Sequence, residues 1–219
     1  MNRWIYILLS VGLMSALSFS ETNQETAGVS PPLEITGTFS VLNPNRLVLS
    51  SREYKVSYSK NFLGISAFQL GVGFPLKTRL TQFEFYPFAR VGYARNQGSY
   101  SMISQSGEIS EADVTLNWVP LTAGLRTEYR IPGFNLIRPF LVTAGGAEWL
   151  KQTSSNPGVS ENFWIPFYNI GLGLSFSDSP NNPSSGFGGF SFSMNFQNGL
   201  KRDQQANSFS YDLTVHFFL

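Results

Sequence analysis

The feature that most limits what this chain can fold into is an alternation of apolar and polar residues that recurs from Leu33 to the C-terminus. Period two is the side-chain repeat of a β-strand, so each such segment carries one apolar and one polar face. Phe68, Leu70, Val72 and Phe74 alternate with Gln69, Gly71 and Gly73. Phe83, Phe85, Pro87, Ala89, Val91 and Tyr93 oppose Glu84, Tyr86, Phe88, Arg90 and Gly92. Val119, Leu121, Ala123, Leu125, Thr127 and Tyr129 oppose Thr122, Gly124, Arg126, Glu128 and Arg130. Near the end, Phe190, Phe192, Met194 and Phe196 oppose Ser191, Ser193, Asn195 and Gln197, and Tyr211, Leu213, Val215, Phe217 and Leu219 oppose Asp212, Thr214 and His216. The segments Ile137 to Leu150 and Trp164 to Phe176 are strand-like but partly apolar on both faces, which leaves their facing open.

A soluble sandwich and a membrane barrel both produce such alternation. Three features favour the barrel. The segments run to roughly 10–14 residues, closer to tilted membrane strands of about 9–11 than to globular strands of 5–6. Their polar faces are rich in Gly, Ser, Thr and Asn, as a crowded lumen requires. Tyr93, Trp118, Tyr129, Trp149, Trp164 and Tyr211 fall near segment ends, where an interfacial girdle places aromatics. Composition agrees: 15% of residues are aromatic and only 13% charged, about half the charge usual in a soluble domain.

The N-terminus reads as export. Arg3 precedes the apolar run Trp4 to Leu17, and Ser18 and Ser20 put small residues before a cut ahead of Glu21, so residues 1–20 are expected to be a signal peptide. Residues 21–32 form a polar, Pro-terminated linker, and 33–219 the folded part. No later stretch is apolar enough for a membrane helix, leaving a barrel as the way to span a bilayer. Cysteine is absent, which excludes disulfides, thiolate metal sites and thiol nucleophiles. Fifteen basic against 14 acidic residues give a net charge of +1 and no sign of a nucleic-acid partner.

Connections alternate in length. Pro75 to Leu80 and Ile131 to Asn135 read as short turns, whereas 96–113 and 151–162 read as long polar loops, the surface where an extracellular ligand would bind. The stretch Ser177 to Gly186 is longer than this pattern wants. Nine strand candidates arise where an even number is expected. Leu33 to Val41 is taken as the first strand and Glu53 to Tyr58 as an extension of the first loop or the second strand. The fold class is therefore all-β, a transmembrane antiparallel up-and-down barrel of about eight strands, with ten as the alternative count.

The last strand, with Tyr211, Leu213, Val215, Phe217 and Leu219, resembles the C-terminal signature of outer-membrane barrels, departing from it in ending on Leu rather than Phe. Pro87 to Tyr93 and Arg138-Pro139-Phe140 look like strand openings of the OmpA/OmpX-like eight-stranded barrel domain. The resemblance covers residues 33–219 and implies an outer-membrane location, contact with outer-membrane lipid and recognition of the terminal strand by the barrel-assembly machinery. It implies no activity.

Chemistry is sparse. Some eight-stranded barrels are enzymes, such as the lipid A deacylases, which resemble this chain in size, but the residue two after the single histidine, His216, is Phe218, where that family's His-x-Ser pattern needs a hydroxyl. Asp212 and His216 lie four apart on one strand, about 13 Å by the strand rise, so they form no protease-like pair. Glu108, Glu111 and Asp113 lack calcium-loop spacing, and no cofactor or metal is expected. What remains is a polar lumen cluster of Glu84, Arg90, Arg126, Glu128, Arg130, Asp212 and His216, with Glu84 falling near Arg126 to Arg130 if the strands flanking 96–113 pair antiparallel. The function expected is a non-enzymatic envelope or surface-binding barrel. The alternatives are a narrow channel, which needs an open lumen, and a lipocalin-like binder with its apolar face inside.

Overall fold

In the computed structural model the alternating segments pair into one closed sheet; residues 32–50, 54–57, 65–76, 78, 80–134, 136–155, 158–177, 186–200 and 205–219 are described. The strands are β1 (Glu34–Ser50), β2 (Tyr54–Ser57), β3 (Ile65–Gly73), β4 (Phe83–Ser104), β5 (Ile109–Tyr129), β6 (Arg138–Ser155), β7 (Gly158–Ser177), β8 (Phe187–Gly199) and β9 (Gln205–Phe218). All neighbours pair antiparallel, β1 with β3 and then in chain order from β3 to β9, and β1 closes the ring on β9 from Glu34 opposite Phe218 to Val48 opposite Gln205. Closure leaves no free edge around the wall, which is what a strand-built structure needs in lipid.

Nine named strands make eight walls. β3 pairs with the first part of β1 and with β4, and β2 pairs with Val48 to Ser50 of β1 and Met102 to Ser104 of β4. β2 thus stands in line with β3, as a continuation of the second strand. The proposed signal peptide and nearly all of the linker lie outside the described residues, as does most of Ser177 to Gly186.

The apolar faces point outward. Phe68, Leu70, Val72, Leu172, Phe192 and Met194 are each half exposed or more, and Val91 nearly so, in a belt too continuous for a water-facing surface. Phe83 to Tyr93, Val119 to Tyr129 and Phe209 to Leu219 each cover about eleven residues, the length of a tilted membrane-crossing strand. The lipocalin-like arrangement is therefore not the one adopted. On β6 and β7, whose facing the sequence left open, Arg138, Phe140, Val142, Glu148 and Leu150 turn inward together with Phe163, Ile165 and Phe167. Glycines make room for such side chains: a Cβ on Gly71 would stand 2.7 Å from Arg90 Cγ, and one on Gly146 2.9 Å from Phe167 Cζ.

The two stretches expected to be long loops are largely strand. β4 and β5 run 22 and 21 residues and pair without a break from Ala94 opposite Trp118 to Ile103 opposite Ile109, turning through Gly107 at φ 86°. Likewise β6 and β7 pair from Trp149 opposite Trp164 to Ser155 opposite Gly158. Alternation does not stop at the end of the belt; it changes sign. Outward residues become polar (Arg95, Gln97, Ser99 and Ser101 on β4; Glu111 and Asp113 on β5), whereas inward ones become apolar. Such a wall is that of a water-soluble barrel standing on a membrane one.

Candidate functional site

The inward faces divide the lumen into levels. At the end where the barrel's two terminal strands meet, β1, β4, β5, β6 and β9 contribute acids and bases to one network. Arg126 contacts Glu34 at 2.7 Å and Glu128 at 2.9 Å. Arg138 lies 2.9 Å from Glu84 and 3.8 Å from Glu128. Arg130 completes the pairing with Glu84, and the Tyr86 hydroxyl donates to the same carboxylate at 2.9 Å. The Arg126 guanidinium also stacks over the Tyr86 ring at 4.2 Å. Three carboxylates face three guanidiniums, and most of them are buried, so each holds its partners in place: a buried charge stripped of its counter-ion is strongly destabilising.

Of the lumen residues expected from sequence, Glu84, Arg126, Glu128, Arg130 and His216 assemble here. Arg90 and Asp212 do not. Arg90 lies over the Phe88 ring, and Asp212 accepts a 3.0 Å hydrogen bond from Asn195, one level further in. Sequence reasoning missed Glu34 and Arg138. Glu34 occupies the inward face of β1, and only closure of β1 onto β9 brings it to His216, 2.7 Å away. Arg138 opens β6, in a segment whose facing was ambiguous.

His216 has a hydroxyl partner after all. Pairing of β8 with β9 sets Ser191 Oγ 2.8 Å from His216 Nε2, while Nδ1 faces Glu34. The order is that of a Ser-His-acid relay, but all three residues are buried inside the barrel. Arg126 Nη1 also stands 3.2 Å from Nδ1, tying the ring into the ionic network.

At the opposite end the lumen is closed by apolar packing. Leu49, Val56, Met102, Val114, Leu116, Trp118, Leu150 and Ile165 are all essentially inaccessible and form one cluster. Fully burying each of the aliphatic ones is worth about 1.5–3 kcal/mol. Trp118, expected in the interfacial girdle, belongs to this core instead. Its strand carries it inward, and the girdle on that side is made by Tyr93, Trp164 and Tyr168. Tyr93 donates to Asn117 at 2.9 Å and Asn198 donates to Tyr168 at 3.0 Å, joining aromatic bodies in the belt to polar partners above it. Among the described residues no group of three or more His, Cys, Asp or Glu assembles a metal site.

An apolar belt with aromatic margins, a lumen filled by side chains and strands that close on themselves define the class: a small outer-membrane β-barrel. No protein-family model matches the chain, and neither does any curated protein sequence. Among solved structures it is similar to Ail, the attachment invasion locus protein of Yersinia pestis, in complex with the heparin analogue sucrose octasulfate. There the identity is 14%, the TM-score 0.46, and 86% of this chain and 100% of that one are covered. Neisserial surface protein A is similar at 12% identity and a TM-score of 0.45, covering 85% and 96% of the two chains. The N-terminal barrel domain of Pseudomonas aeruginosa OprF is similar at 15% and 0.42, covering 85% and 97%.

Proposed function

We propose that this protein is a non-enzymatic barrel that presents its two raised hairpins at the cell surface, for surface binding or envelope integrity. The observation that carries this reading is the reversal of facing above the belt. Residues 96–113, 151–155 and 158–162 are built into a paired, internally packed collar with a polar exterior, a rigid platform of the kind that supports recognition. In this reading residues 1–20 direct export and are removed, residues 21–32 lead into the barrel in the periplasm, and Tyr211, Leu213, Val215, Phe217 and Leu219 guide assembly.

Both ends of the lumen are filled, by ion-paired side chains at one and by apolar side chains at the other, which weighs against a channel. The buried Ser191-His216-Glu34 chain serves packing rather than turnover, so a fluorophosphonate probe should leave Ser191 unlabelled in the folded protein. The function is tested with cells carrying either the full protein or a version whose hairpins are cut to short turns at the girdle. Boiled and unboiled samples on a gel establish that both barrels fold. Loss of adherence, or of resistance to detergents and bile salts, with the trimmed barrel still folded is the expected result. Unchanged phenotypes with a folded trimmed barrel would overturn the role of the collar.

A further inference from the structure

Between the ionic network and the apolar core the lumen keeps a cavity of about 30 Å³, room for one or two water-sized occupants. Arg90, Trp118, Glu148, Asn169, Gln197 and Asp212 are among the residues lining it. Two of these are carboxylates, and each uses one oxygen and leaves the other idle. Glu148 Oε1 accepts from Gln197 and Asp212 Oδ2 from Asn195, whereas Glu148 Oε2 and Asp212 Oδ1 are buried without a hydrogen-bond partner. Asn169 Oδ1 is idle too, as is the donor Arg90 Nε; Trp118 faces Glu148, and Ser40 and Ser210 face Asp212, but none of the three reaches the idle oxygens in good hydrogen-bond geometry.

Charge decides what the cavity lacks. The network below is balanced, three carboxylates against three guanidiniums. Around the cavity two carboxylates face one guanidinium, and neither carboxylate forms an ion pair within 4 Å among the described residues. Glu148 is fully buried, and an uncompensated charge in such a place is strongly disfavoured. One added positive charge, a proton on Glu148 or a monovalent cation, restores neutrality; a divalent ion overshoots it. The idle acceptors are all hard oxygens, suited to alkali and alkaline-earth cations rather than transition metals.

We propose that this cavity binds one monovalent alkali cation, held by Glu148, Asp212 and Asn169. The site is enclosed by the barrel, so it stands independently of what the collar binds. The test refolds the full protein into detergent in sodium chloride or in choline chloride at equal ionic strength, and reads the temperature at which the folded gel band is lost. Sodium should raise that temperature relative to choline, and Glu148→Gln should abolish the difference. Crystals of the wild-type protein grown in a rubidium or thallium salt should show an anomalous peak among the three oxygens. Equal temperatures in the two salts with no anomalous peak would overturn the proposal in favour of water beside a protonated Glu148. A sodium effect that survives in Glu148→Gln would overturn it as well. Should Glu148→Gln fail to fold, Asn169→Ala read in the same way, together with the wild-type peak, decides.

Discussion

Replacing Arg126 with methionine separates a dry, mutually dependent lumen network from a collection of solvated ion pairs. Arg126 is buried between Glu34 and Glu128, each with a side chain only 1% exposed. Methionine fills much of the volume but leaves Glu34 with His216 alone and Glu128 with only the 3.8 Å contact to Arg138. Removing one partner of a buried pair costs about 3–5 kcal/mol, roughly a hundred- to a few-thousand-fold in the folding equilibrium. Arg130→Met is the control. Its side chain is 32% exposed, and Glu84 keeps Arg138 at 2.9 Å, so the loss should be about 0–1 kcal/mol. Urea titrations of both variants refolded into lipid vesicles, followed by tryptophan fluorescence, give the comparison. If Arg126→Met costs no more than Arg130→Met, the lumen is wet and the argument from burial is wrong.

The other expectations probe the remaining levels of the barrel. Trp118→Ala, which empties the apolar core, should cost about 3–5 kcal/mol in the same titration, whereas a tryptophan on the lipid-facing girdle would leave no internal cavity when truncated. Ile170→Arg, in the belt of β7, should cost about 2–4 kcal/mol, while Gln97→Arg, outward on the collar, should stay within about 0.5 kcal/mol; equal costs would contradict the assigned depth of these positions. Pure folded protein in planar bilayers should show no steady conductance, and a persistent open current would mean that one of the two fillings is displaced in the membrane.

The outward apolar belt was legible because its period-two signal needs no partner to be recognised; Phe83 to Tyr93 announces its facing by itself. The collar was not, because polarity reverses there while parity is kept. Ala94, Tyr100 and Met102 continue the inward face of Glu84 and Arg90, so a reader following hydrophobicity alone sees the pattern break and infers a loop. Trp118 was misplaced for the same reason. Within the lumen, residues on adjacent hairpin strands such as Glu84 and Arg126 to Arg130 could be brought together from local pairing. Glu34 with His216, 182 positions apart, and Ser191 with His216 depend on closure and on register between later strands, which no short stretch of sequence carries.

A membrane barrel with a water-exposed collar requires one boundary, the level at which lipid gives way to water near Tyr93, and the absence of native cysteine makes it directly measurable. Single substitutions Val91→Cys, Gln97→Cys, Ser99→Cys and Tyr100→Cys are placed in turn on β4, and intact cells are treated with a membrane-impermeant maleimide. Gln97→Cys and Ser99→Cys should label readily, Val91→Cys should be protected by lipid, and Tyr100→Cys should be protected by the apolar core until the protein is unfolded. Labelling at Val91→Cys as fast as at Gln97→Cys, or protection of both Gln97→Cys and Ser99→Cys, would contradict a membrane barrel that carries a water-exposed collar.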